Sequence, residues 1–215
     1  MNENSFEAQY DVTKKSKLRK FYEESKVLIF STVLILIITI ASISYYLEVK
    51  EKKKILLAES YIEAKIYSEN GDRDKAINIL KTVIFANDST YSTLSLFLIL
   101  NESLIVEQKE LLHLFDHVLR NNKFEKEVRN LIIFKKALFQ SNFVSELELL
   151  ETVNPLINKE TLWKPHALLL LGDYFFYKKQ YFKAKEFYIR VLSLKDLHKD
   201  LYDQATFQLT IIVND

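Results

Sequence analysis

Apolar and polar positions divide the chain into stretches of different periodicity. Residues 27–47, VLIFSTVLILIITIASISYYL, hold no charge, with Lys26 on one side and Glu48 on the other. A helix crossing the roughly 30 Å hydrocarbon layer of a bilayer needs about 20 mostly apolar residues, and this run has that length. Its polar members are Ser and Thr, whose hydroxyls can bond back to helical carbonyls, and Tyr45 and Tyr46, whose rings suit the headgroup boundary. Residues 1 to about 20 are polar, with mixed charge and few apolar side chains, which predicts a short, poorly ordered tail. After the run, EVKEKKKILLAESYIEAKIYSEN continues to Gly71 without a Gly or Pro, so one helix is predicted from about residue 24 to 69. Gly71 suits a left-handed turn at its end, and Asp72 can cap the helix that follows. The expected organisation is a tail over 1–23, a span with its juxtamembrane extension over 24–54, and a helical domain over 55–215.

Beyond residue 73 the apolar positions recur at helical spacing. Residues 74–86 place Ala76, Ile79, Leu80, Val83 and Ile84 on one face. Asn87-Asp88-Ser89 reads as a turn. Helices are predicted over 91–105 and 107–119, the second with Leu111, Leu112, Phe115, Val118 and Leu119 as its apolar side. Asn121-Asn122 is another turn, followed by helices over 124–139 and 144–153. Asn154-Pro155 reads as a break. Trp163-Lys164-Pro165 opens a helix through Tyr177, residues 179–194 complete that pair, and residues 199–212 form a last helix. None of these amphipathic helices can bury its face alone, so they must stack on one another.

Composition supports an all-α chain. The 215 residues include Gly 2 and Pro 2, and strands and hairpins are punctuated by these residues. Lys+Arg 30 against Asp+Glu 29 leaves a net charge of +1, so no global field attracts nucleic acid. With Cys 0 there is no disulfide, no thiolate nucleophile and no Cys-ligated metal. The lysines around the span are read as headgroup-facing anchors rather than a specific lipid site. Lys14, Lys15, Lys17, Arg19, Lys20 and Lys26 precede it; Lys50, Lys52, Lys53 and Lys54 follow. That balance tilts toward a cytoplasmic N-terminus without fixing it. The only small-x-small cleavage candidates, Thr39-Ile40-Ala41 and Ser42-Ile43-Ser44, lie inside the run. The run is also longer than a signal-peptide core, so the anchor is expected to be retained.

The candidate chemistry is sparse. His113 and His117 have the i, i+4 spacing that lets two imidazoles share a metal. Leu114 stands where the metalloprotease motif needs Glu, and a surface pair without metal is expected. His166 and His198 have no nucleophile or acid at motif spacing. Asp72 with Asp74, and Glu146 with Glu148, read as turn and solvent-face residues rather than catalytic pairs. Gly71 and Gly172 are isolated, so neither belongs to a phosphate-binding loop. No active site, metal or cofactor is expected.

The clearest repeat unit runs through Leu171, Gly172, Phe175, Tyr181, Ala184, Tyr188 and Val191. It resembles the tetratricopeptide repeat: Leu-Gly, an aromatic three residues on, then aromatic, Ala, aromatic and a small apolar residue. Gly172 and Ala184 lack bulk where two helices cross, and the aromatics fill the space beside them. Residues 57–84 match less fully, with Ala64, Tyr67, Gly71, Ala76, Leu80 and Val83 in register, while Glu63 and Arg73 stand at positions usually apolar or aromatic. Ala76, Leu111, Leu147 and Ala184 are the equivalent points of four second helices, near the usual period of about 34 residues. The fold expected is a solenoid of about four helical hairpins, closed by 199–212 through Tyr202, Ala205 and Leu209.

A span running into the first repeat, followed by the block from Trp163-Lys164-Pro165 to Val191, resembles bacterial inner-membrane proteins with a short cytoplasmic tail and a periplasmic tetratricopeptide domain. That family includes the ancillary subunit of the SecYEG translocon, with a domain shared by a cell-division coordinator. Residues 90–155 depart most from it, because bulky Leu, Phe and Lys replace small residues. The resemblance implies an inner-membrane protein with its helical domain in the periplasm. Its role would be an adaptor for the translocon, periplasmic chaperones or secreted chains, and not an enzyme. An envelope scaffold for cell division or outer-membrane assembly is the other role it allows. By the same resemblance Tyr61, Lys65, His166, Asp173, Phe176 and Tyr177 would face a protein-binding groove.

Overall fold

The computed structural model describes residues 17–214. Among them are nine helices and no strand: α1 (Lys17–Glu69), α2 (Arg73–Phe85), α3 (Ser89–Asn101), α4 (Gln108–Asn121), α5 (Lys126–Gln140), α6 (Glu146–Ile157), α7 (Lys164–Tyr177), α8 (Tyr181–Leu192) and α9 (Lys199–Asn214). The chain divides into two compact units, Met1–Leu56 and Leu57–Asp215.

The first unit is α1 up to Leu56. Its most apolar 18 residues average a hydropathy of 2.6, and none of that window is buried in the protein. By length and composition this helix is able to cross a membrane. The Ser31 and Thr32 hydroxyls donate to the Leu28 carbonyl at 2.9 and 2.8 Å, Thr39 to Ile35 at 2.8 Å and Ser42 to Ile38 at 2.8 Å. These polar atoms are thus satisfied within the helix, as a hydrocarbon environment demands. The helix begins at Lys17 rather than near residue 24, so it takes in part of the expected tail. The rest of that tail, residues 1–16, lies outside the described residues.

The second unit opens with the last turns of α1, where Ala64 is fully buried and Tyr61 and Tyr67 are partly so. Gly71 ends the helix at φ 84°. The Gly71 N–H donates to the Ser68 carbonyl at 3.1 Å and the Asp72 N–H to Tyr67 at 2.9 Å, the paired bonds of a Schellman turn. Asp72 then caps α2 by accepting from the Lys75 N–H at 3.4 Å. A side chain at 71 meets open space but the wrong backbone region. Gly71→Ala is therefore expected to lower stability by about 1 kcal/mol in urea titration.

Four further turns use non-glycine residues in the same left-handed region: Asn87 (φ 57°), Ser103 (47°), Lys179 (58°) and Asp196 (55°). This is how a chain with two glycines ends so many helices. At Ser103 the Leu104 N–H reaches back to the Ile99 carbonyl at 3.0 Å, closing α3 at Asn101 although the apolar run invites extension to 105. Arg73, anomalous as a repeat position, explains itself here: its guanidinium donates to the Ser103 carbonyl at the end of α3. Ser103→Gly is expected to raise stability by about 0.5–1 kcal/mol, since left-handed strain outweighs the entropy glycine loses on folding.

The helices stack as a solenoid. Each of α3 to α9 packs on its predecessor, and α2 also meets α4, α5 meets α7, and α7 meets α9. Two core clusters result, and α5 serves both: Ile132 belongs to the first and Ala137 to the second. The first half departs in detail from simple hairpins, because α3 packs more closely on α2 than on α4. Ser92 and Ser95 are fully buried on α3, and the Ser92 hydroxyl donates to the Ile84 carbonyl of α2 at 2.9 Å.

Two expectations for α6 are corrected. Leu147 is 67% exposed, so it is not the equivalent of Ala76, Leu111 and Ala184; the buried stripe is Leu149, Val153 and Leu156. The helix starts at Glu146 behind a Ser145–Glu148 capping box, which places Leu147 on the outer side. Asn154-Pro155 is not a break either, since α6 runs through Pro155 to Ile157. Pro155 stands in the last turn on the exposed face, where its ring leaves the buried stripe undisturbed.

Candidate protein-binding surface

Helix α7 is the most enclosed element of the stack, with Ala167 to Gly172, Tyr174 and Phe175 all buried. Pro165 in its first turn is tolerated because the N–H it lacks would have no helical partner. Gly172 faces the ring of Tyr188 on α8, and a Cβ there would lie 2.7 Å from Cδ1 and nearer still to Cε1. The fully buried Tyr188 donates its hydroxyl to Asp173 Oδ1 at 2.8 Å. Burial pushes the Tyr188 phenol well above its ordinary pKa, and the Asp173 carboxyl beside it adds to the shift. Burial also raises the Asp173 carboxyl, with the Tyr188 bond opposing.

Asp173 looks into a cleft of about 370 Å³ between the end of α5 and α7, formed by Leu138, Ser141 and Asn142 on one side and Asp173, Tyr177 and Lys178 on the other. A larger cavity, about 650 Å³, lies where the start of α7 meets the α8–α9 connection and is lined by His166, Leu162, Leu197 and His198. Burial holds the His166 pKa below the ordinary histidine value, and the Leu162 carbonyl only partly offsets this without reaching hydrogen-bond geometry.

The structure distributes the six expected groove residues. Asp173 and Tyr177 share the smaller cleft, and His166 lines the larger cavity. At about 100° per residue, 166, 173 and 177 align along one helix face while 176 falls well to its side. Accordingly Phe176 is half-buried against the second core, with its ring 5.6 Å from that of Tyr181. Tyr61 is half-buried in the first core and lines neither cavity. Lys65 is exposed, with Nζ 3.8 Å from Glu69 Oε1. Of the repeat-packing residues, Ala64, Ala76, Leu171, Gly172, Phe175, Ala184 and Tyr188 are buried, Tyr67 is half-buried, Gly71 is the turn residue, and Tyr181 is 37% exposed beside Phe176.

Three of the other candidates, His117, Glu146 and Glu148, have structural roles. His117 Nε2 lies 2.8 Å from Asn87 Oδ1, and Asn121 Nδ2 lies 3.1 Å from His117 Nδ1, so both ring nitrogens are engaged by amides. Glu148 completes the α6 capping box, and Glu146 pairs with Lys183 of α8 at 2.8 Å. Trp163, the centre of a further cluster, lies outside the expected site residues. Its Nε1–H donates to the Glu127 carbonyl at 3.1 Å, and its ring stacks on Phe134 at 5.4 Å and meets His166 at 5.3 Å. A lone Trp two residues before a Pro was the available signal.

The pair at Asp173 gives a pH prediction. Its folded pKa is raised above the ordinary 3.8, so its contribution to stability is full below 3.8 and falls as pH rises through the folded value. Asn at 173 still accepts the Tyr188 hydrogen bond and never ionises. Asp173→Asn is therefore expected to melt higher than the wild type at pH 7, with the gap closing as pH falls toward 3.8. A variant less stable at pH 7 contradicts this.

Fold and surface together define the class: an all-α protein with one long apolar N-terminal helix followed by helical repeats stacked in a solenoid-like arrangement. Comparison with protein-family models, with curated proteins and with solved structures finds no match.

Proposed function

We propose that this is a membrane-anchored scaffold that binds other proteins, with α1 in the inner membrane and the helical stack in the periplasm. The carrying observation is the bare apolar run of α1, whose 18-residue window has no cover from the rest of the protein. Water is a poor solvent for it and a bilayer a good one. The cleft beside Asp173, Tyr177 and Lys178 supports a peptide-binding role, since apolar floor and polar rim together suit an extended or helical segment. Tethering raises the effective concentration of such a site for anything emerging at the membrane. On the resemblance of the span and of the Trp163–Val191 block, the partners proposed are the SecYEG translocon, periplasmic chaperones and secreted chains.

The test is photo-crosslinking in living cells from a benzoyl-phenylalanine at Tyr177, with copurification of the full chain from mild detergent. Channel proteins should copurify, and crosslinks to chaperones or secreted chains should appear. Crosslinks confined to division or outer-membrane assembly proteins favour the envelope scaffold instead. Protection of residues 55–215 from protease in intact spheroplasts rules out the periplasmic reading altogether.

A further inference from the structure

The turn between α7 and α8 exposes more than the cleft takes up, since Tyr177 and Lys178 at the cleft's rim are joined beyond it by Lys179, Phe182 and Lys185. Tyr177 and Phe182 are each 85% exposed, and Lys178, Lys179 and Lys185 stand exposed around them. Lys178 lies with its ammonium 5.6 Å from the Tyr174 ring, which leaves its charge at the surface. Lys183 is already paired with Glu146, and Glu186 is the one acid between 177 and 189. With Lys179 in the left-handed region, the chain turns sharply between Tyr177 and Phe182. On α8 the same outward stripe continues through Lys185 to Ile189, which is 49% exposed.

We propose that this α7–α8 tip is a membrane-surface contact for anionic lipid headgroups, resting on the reading that α1 anchors the chain in a bilayer. Bare aromatic rings are costly in water; at the headgroup boundary the Tyr177 ring can enter with its hydroxyl kept wet, and Phe182 adds apolar area beside it. Lysines beside them complement anionic lipid, and the attraction acts within a Debye length of the surface. Between 177 and 189 four lysines stand against one acid, so this tip carries a basic surplus although the whole chain has a net charge of only +1. The lysine that sits in a glycine-favouring conformation adds positive charge at the apex, where glycine would relieve backbone strain.

The chain has no cysteine, so single labels can be placed at will. The full-length Gln180→Cys protein, spin-labelled, is reconstituted into vesicles of phosphatidylcholine alone or with one part in three, roughly, of phosphatidylglycerol. Val106→Cys, at an 89% exposed position elsewhere in the stack, and Ile38→Cys, within the span, are labelled in parallel. The label at 180 is expected to become more accessible to oxygen than to a water-soluble nickel complex only in the anionic vesicles. The label at 106 should stay aqueous in both. Lys178→Glu/Lys179→Glu/Lys185→Glu should abolish the effect at 180, and the wild-type lipid comparison stands even if that variant misfolds. A label at 180 that is aqueous in both lipids, or equally immersed in both, overturns the proposal while 38 remains in the bilayer. If 38 itself is aqueous, the anchoring reading fails and this proposal with it. A label at 180 that ignores lipid but is immobilised by added polyglutamate overturns it in favour of an acidic protein partner.

Discussion

Gly172→Ala is expected to destabilise the helical stack by about 2 kcal/mol, and Gly172→Leu to prevent α7 and α8 from pairing at all. Two effects oppose each other at this site. Replacing a mid-helix glycine with alanine gains about 1 kcal/mol of helix propensity. Overpacking a well-filled core costs about 1–3 kcal/mol and more where neighbours cannot move. Here the new Cβ would lie within 2.7 Å of Tyr188 Cδ1, closer than real Cβ contacts come. Tyr188 has nowhere to go, being fully buried with its hydroxyl held 2.8 Å from Asp173. The clash therefore wins. Urea denaturation of the full chain in detergent, followed by helical circular dichroism, measures the loss. Tyr188→Leu should recover part of it in the double variant, because it removes the ring that the methyl strikes. A midpoint unchanged or raised by Gly172→Ala sinks the assigned crossing.

How legible each feature was depended on the kind of signal it left. Gly172, Ala184 and Tyr188 were readable because close helix approach needs a missing side chain on one helix and a large one opposite, and glycine is rare enough in this chain to notice. The uncharged run at 27–47 was readable because length and apolarity alone define it. Leu147 misled because α6 is apolar on more than one side, so period alone offered several registers; the Ser145–Glu148 capping box fixes the right one. Pro155 misled because α6 runs on through it to Ile157, giving up the one backbone bond that its missing N–H would make. The α3 terminus at Asn101 was hidden because its left-handed turn uses Ser103 instead of Gly. The six groove residues were placed by likeness of position, and the cleft that only Asp173 and Tyr177 of them share depends on how α5 meets α7, which is a long-range property no local pattern encodes.

The other large effect is expected at Trp163, where the same long-range meeting of α5 and α7 is secured. Trp163→Ala should cost about 2–3 kcal/mol. A fully buried Trp loses about 3–5 kcal/mol on truncation to Ala, and this one is only partly buried. Its ring stacks on Phe134 at an interplanar angle of 25°, and its Nε1–H holds the Glu127 carbonyl in the first turn of α5. Nearby, the Leu162 N–H donates to Glu127 Oε2 at 3.2 Å and Lys126 Nζ to the Glu160 carbonyl at 2.8 Å, so the segment before α7 is tied to α5 by main-chain and side-chain bonds together. Trp163→Phe separates the parts: the stack survives, the indole hydrogen bond is lost, and about 1 kcal/mol should go with it. Hydrogen exchange at Leu162 and Lys164 supplies the local readout, with faster exchange in Trp163→Ala and near-native rates in Trp163→Phe. Equal losses for the two variants would mean that the hydrogen bond, and not the stacked ring, holds α7 in place.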